Sequence, residues 1–243
     1  MGPTELAGRA PPRENTDGCG TAWFGELQPM NASRVSSKFR VVRPEDRLEL
    51  LGSFSQPYTD TLPESGELDV ALVLPRTDRT LGETNFLKGR MAQLAWELRR
   101  MAPYSRLGIV SYGSGPADVG VLGLTNSPDA QVRFLASIAP LLPTDDEGAI
   151  LQAARIAASS LYWRSNCRRE MVLFTDTHPR RDDFRDLLRT AHGFRSSGGR
   201  VNTVHVISSE DFYLSDAAQA QAILQGIARI GGGILIIADP TID

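Results

Sequence analysis

Lysine is almost missing from this chain of 243 residues: Lys38 and Lys88 are the only two, so nearly all the positive charge is arginine. We read that as coding-genome composition rather than as an arginine-specific task. Cysteine is as scarce. Cys19 and Cys167 are too few for a metal framework or a disulfide scaffold. They leave two readings open, a single bridge tying the N-terminal tail to the domain, or two unpaired thiols. There is no run of eighteen apolar residues, so no membrane span is expected. Residues 1–20 carry Pro, Arg, Glu and Asp where a signal peptide needs an apolar stretch, which predicts a cytoplasmic protein unless the chain is a processed form. A formal net charge of −3 gives the whole chain no nucleic-acid signature. The sequon Asn31-Ala32-Ser33 says little without a secretory context.

What is present reads as one domain of ordinary size, with 41% hydrophobic and 23% charged residues. Residues 1–20 are expected to be a disordered or surface-laid tail. Residues 21–66 are expected to be an N-terminal extension packed on the domain, in which Phe39-Arg40-Val41-Val42 alternates as a short strand does. The domain proper is 67–243. It opens on an apolar run, Val70–Leu74, broken at Pro75, which lacks an N–H and cannot continue a central ladder. A polar loop and a helix over 84–101 follow, the helix marked by Phe86, Met91, Leu94, Ala95 and Leu98. Apolar runs predict further strands at 107–112, 119–124, 171–174, 201–207 and 234–238, with helices between them. The helix capped by Ser127-Pro128 is expected to turn Val132, Leu135, Ile138 and Leu141 inward, and the next to run through Tyr162. The connection to 119–124 is too short for a crossover, so that strand should pair antiparallel. The expected class is α/β: a doubly wound, mostly parallel six-stranded sheet with one antiparallel edge strand and helices on both faces.

Several phrases in this order resemble a von Willebrand factor A domain, the integrin I-like type. They are Leu68–Leu74 for its first strand, Leu81–Phe86 for the start of its first helix, Arg106–Tyr112 for its second strand, Met171–Asp176 for its fourth, and Ile227–Gly233 for the approach to its last. The resemblance spans about 67–240 and implies a Rossmann-like sheet with a metal-ion-dependent adhesion site at its carboxyl edge. It implies Mg²⁺ held by an Asp-x-Ser-x-Ser loop after the first strand, a Thr before the third helix and the Asp after the fourth strand, with a vacancy for a partner's carboxylate.

This chain departs from that pattern. Counted from the strand, the loop is Pro75-x-Thr77-x-Arg79; counted back from Leu81-Gly82, it is Arg76-x-Asp78-x-Thr80. Neither register has an Asp first. The Thr position falls on Asp145, beside Thr144, and Asp176 alone matches. A carboxylate at a partly buried strand end needs a partner. One expectation is that Arg76 or Arg79 replaces the cation by pairing with Asp176, so that no metal binds. The rival is a rearranged Mg²⁺ site built from Asp78, Thr80, Asp145 and Asp176.

No enzyme activity is expected. Ser111-Tyr112-Gly113 lacks the preceding Gly of a nucleophile elbow, and Gly231-Gly232-Gly233 precedes a strand, so it reads as a turn rather than a phosphate cradle. His178, two residues past Asp176, has a site-like position; His192 should be exposed and His205 should lie in a strand. From Arg164 to Arg200 nine arginines face five acids, which reads as a solvated, paired face. The expected function is a non-catalytic interaction or scaffold module binding a protein partner through Arg76, Thr77, Asp78, Arg79, Thr80, Thr144, Asp145, Asp176 and His178. The alternatives are a metal-dependent adhesion domain and an accessory subunit of an ATPase or other enzyme complex.

Overall fold

The computed structural model describes residues 39–42, 67–76, 81–113, 115, 118–139, 149–176, 179–206 and 215–238, all within the compact unit Ser37–Asp243. Seven strands form one sheet: β1 (Phe39–Val42), β2 (Leu68–Pro75), β3 (Arg106–Tyr112), β4 (Val119–Thr125), β5 (Arg168–Thr175), β6 (Gly199–Val206) and β7 (Gly232–Ala238). The described helices are α1 (Leu81–Met101), α2 (Pro128–Ser137), α3 (Ala149–Ser159), α4 (Arg181–Ser196) and α5 (Ser215–Ile230).

The strand order is β1-β7-β6-β5-β2-β3-β4, and only the β3–β4 pair is antiparallel. The six strands expected within 67–243 are all present, with β4 as the antiparallel edge. The sheet gains a seventh strand from the stretch expected to be an extension: Phe39–Val42 pairs parallel with β7.

β2 is buried on both faces, which is why it reads as an unbroken apolar run. Its residues alternate between two cores. Val70, Leu72 and Leu74 join Met91, Leu94 and Leu98 of α1 and Leu135 of α2. Ala71 and Val73 face the other way, with Ala153 and Ala157 of α3, Leu187 and Phe194 of α4, and Leu224 and Ile227 of α5. Helices therefore cover both faces, and the loops to be read for function lie at the strand ends.

The amino edge is closed by a charge cluster that apolar periodicity does not reveal. Asp69, in β2, is fully buried. Arg106 reaches its two oxygens at 2.9 and 2.7 Å, and Arg164 donates to it from the guanidinium at 3.0 and 2.6 Å and from its backbone N–H at 3.1 Å. The same guanidinium groups hold the Tyr104 and Tyr162 carbonyls. Cys167 is a free thiol that donates to Asp69 at 3.3 Å. Next to this cluster, buried Glu170 accepts from Arg168 and Asn202.

Gly231–Gly233 turns the chain from α5 into β7. Gly232 has φ +77°, and a Cβ on Gly233 would stand 2.1 Å from the Val201 carbonyl oxygen, so only glycine fits that approach.

Candidate functional site

β2, β3, β5, β6 and β7 run parallel, so their last residues share one edge; β4 runs back and begins there. Pro75 is the last residue of β2, opposite Tyr112. Proline offers no N–H, and the ladder is taken up one residue later, where Arg76 donates its N–H to the Tyr112 carbonyl at 2.7 Å. The β3–β4 turn is tied by Gly113 N–H to the Asp118 carbonyl and Asp118 N–H to the Gly115 carbonyl. It delivers Asp118 to the side of Arg76, with 3.7 Å between a guanidinium nitrogen and a carboxylate oxygen. The Arg76 Nε is buried and has no hydrogen-bond acceptor among the described residues.

Asp176 follows β5 and is buried, and it is engaged by other groups there. Tyr112 lies close to it. The Tyr112 hydroxyl donates to the Phe174 carbonyl at 2.8 Å. Burial of the ring pushes its pKa well above 10, the Asp176 charge adds to that, and a hydrogen bond with Thr175 opposes it.

Two expected site residues, Arg76 and Asp176, thus lie at the carboxyl edge. Of the two arginines expected to meet Asp176, Arg76 has Asp118 as its described ion-pair partner, because the short hairpin brings the start of β4 to this edge, and Arg79 lies outside the described residues. Thr77, Asp78, Arg79, Thr80, Thr144, Asp145 and His178 lie outside the described residues. Asp118 and Tyr112 were not expected here. A readable signal existed for Asp118, a lone acid just before an antiparallel strand that must start at this edge; the sequence marks Tyr112 as a strand end but gives it no site role.

Among the described residues, no group of three or more His, Cys, Asp or Glu side chains could hold a metal ion. At the end of β2 those residues offer a pyrrolidine ring and a guanidinium. Taken alone, that donor set does not fit a hard dication, which requires oxygen ligands.

The other motifs have settled places. Ser111 is buried within β3. His205 is buried in β6, and His192 is exposed on α4. The arginines of 164–200 are largely spent within the fold. Arg164, Arg168 and Arg189 make ion pairs, and Arg169 and Arg195 donate to backbone carbonyls. No described helix is long and apolar enough to cross a membrane.

No family model and no curated protein matches this sequence. Solved structures do. A conserved hypothetical protein, BatB from Bacteroides thetaiotaomicron, is 19% identical with a TM-score of 0.54, over 72% of this chain and 91% of that one. The SpRpn10 VWA domain is 15% identical with a TM-score of 0.51, over 70% and 86%. Proximal thread matrix protein 1 from the mussel byssus, solved with a zinc-occupied MIDAS motif, is 14% identical with a TM-score of 0.54, over 73% and 43%. At these identities the likeness is one of fold, and it agrees with the strand order and the antiparallel edge: the chain has the von Willebrand factor A fold.

Proposed function

We propose that this chain is a non-catalytic protein-interaction module that meets its partner at the carboxyl edge of the sheet without a bridging metal ion. The observation that carries the reading is the end of β2, where Pro75 is followed by Arg76 and the guanidinium pairs with Asp118. A guanidinium about 4 Å from a dication would oppose it by roughly 4 kcal/mol per unit charge at an effective dielectric near 20. Two stretches weighed as catalytic have structural places among the described residues: Ser111 is enclosed in a strand, and Gly231 turns the chain into Gly232 and Gly233, the first residues of β7. Contact would run over Arg76, Asp118 and the loops that hold Thr77, Asp78, Arg79, Thr80, Thr144, Asp145 and His178.

Calorimetric titration of Mg²⁺ and Mn²⁺ into the full chain tests this. The expected trace is heat of dilution only, unchanged in Asp176→Ala. Saturable binding that disappears in Asp176→Ala would replace this reading with the second one, a rearranged site from Asp78, Thr80, Asp145 and Asp176. Two observations favour that alternative: the buried Asp176 carboxylate, and the zinc-occupied motif of the mussel protein with the same fold. A role as accessory subunit of an ATPase or other enzyme complex is tested by co-purification with and without residues 1–66.

A further inference from the structure

The two edges of the sheet are protected differently. β4 is irregular, with a register shift between Leu107 and Ile109 in its pairing to β3. A bulge of that kind twists an edge away from neighbouring strands. β7 has no such device over its last four residues. Leu235–Ala238 is in regular register with Thr203–Val206 on one side and Phe39–Val42 on the other. Its sequence, Gly-Gly-Ile-Leu-Ile-Ile-Ala, contains neither charge nor proline. Without β1 it would be a flat, apolar, unguarded template.

The strand filling that place is unusually separable. β1 has four residues and pairs with β7 alone. The next strand in sequence, β2, lies four positions away in the sheet, and residues 43–67 connect the two. β1 is the outermost strand of the described sheet, so among the described strands its departure breaks no pairing but the one with β7. Its own sequence is marked against promiscuous pairing: Lys38, Arg40, Arg43 and Pro44 surround or interrupt Phe39, Val41 and Val42.

We propose that the outer edge of β7 is a strand-accepting site, held in the free protein by β1, and that it takes an extended segment of a partner protein in parallel register. The chemistry of that segment is set by the occupant already there: apolar residues opposite Leu235, Ile237 and Ala238, and a basic residue opposite Ile236 where Arg40 now lies. Backbone hydrogen bonds supply the attraction, and the residue pattern supplies the choice. β1 competes with the partner from within the chain, so partner binding requires its displacement. The inference does not depend on the carboxyl edge or on metal.

The test uses the full chain and a labelled peptide copying residues 36–45. Successive residues of a parallel strand point their N–H groups to opposite sides, so Arg40→Pro with Val41→Pro must remove one that faces β7. Phe39→Gly with Val41→Gly weakens the same strand without proline, and circular dichroism checks that both variants fold. The expected result is peptide binding at least ~10-fold tighter to both variants than to the parent chain, because the tethered competitor is gone, with no binding of a scrambled peptide. Amide exchange over 235–238 should quicken in the variants and slow again when peptide is added. Exchange unchanged in both variants, or equal peptide affinity for parent and variants, overturns the proposal. A parent chain that doubles its mass by light scattering, and returns to monomer with peptide, also overturns it, because a second copy then fills the edge.

Discussion

Asp69 and Glu170 are both buried carboxylates at the amino edge; burial raises the pKa of each, yet their net shifts run in opposite directions. Burial raises the pKa of Asp69, but donation from Arg106, from the Arg164 side chain and backbone, and from Cys167 outweighs it and leaves the group at about 2. For Glu170 burial wins. The hydrogen bond from Arg168, the more distant Arg200 at 3.8 Å and the Asn202 amide do not offset it, and the pKa is raised. The stability consequences differ in sign. The lowered pKa of Asp69 contributes stability that is fully present above its unfolded value of 3.8 and lost as pH falls through about 2. At about 1.4 kcal/mol per pKa unit, this amounts to roughly 2 kcal/mol. Glu170 gains stability as pH falls through its raised pKa. Urea unfolding of the parent chain and Asp69→Asn, followed from acid to neutral pH, separates the two: the variant should lose the slope below 3.8 that belongs to Asp69 and keep the slope above 4.5 that belongs to Glu170. Asp69→Ala leaves two guanidinium groups without their shared carboxylate and should cost about 3–5 kcal/mol at neutral pH.

At the level of elements, the regular strands and α1 were legible because their apolar residues recur with the right period. β2 was the plainest case: the apolar run marked Val70–Leu74 and the family resemblance reached back to Leu68, while the expected break at Pro75 is corrected, because the strand runs through Pro75, in register with Tyr112. The miss at α2 has a specific cause. Apolar spacing predicted inward Val132 and a helix lasting to Leu141, but the helix stops at Ser137, Val132 is exposed and Gln131 is buried. Gln131 donates its amide N–H groups to the carbonyls of Leu107 and Thr125, which anchors the side chain inside and fixes the rotation of the helix. Hydropathy counts glutamine as outward and cannot anticipate carbonyls supplied by two other strands. α3 ends at Ser159, short of Tyr162, which is 92% exposed, while Trp163 folds back to donate to the Ala157 carbonyl. The start of α2 did follow its sequence signal. Ser127 caps it, its hydroxyl accepting from the Ala130 N–H, and Pro128 opens the first turn. Ser127→Ala should lower stability by about 1 kcal/mol, measured by chemical denaturation. At the carboxyl edge, the sequence reached Arg76 and Asp176 through the strands they follow; the arginine's partner could not be read, because it depends on where the β3–β4 hairpin brings Asp118.

For the molecule as a whole, the sheet order has a kinetic consequence. Phe39 meets Leu235, 196 positions later (235 − 39), whereas β2, β3, β4 and β5 pair with nearer neighbours in sequence. Closing the longest loop costs the most chain entropy before it returns any contact, so the β1–β7 pair should be the last to assemble. Pulse-labelled exchange during refolding should show amides at 235–238 gaining protection from β1 after those of β2 and β5 are already slow. On a ribosome the delay is built into synthesis: Phe39–Val42 emerges long before Leu235–Ala238, the strand on which it docks. Until then the nascent chain carries an unclaimed strand, and a chaperone or a neighbouring polypeptide has that interval in which to seize it.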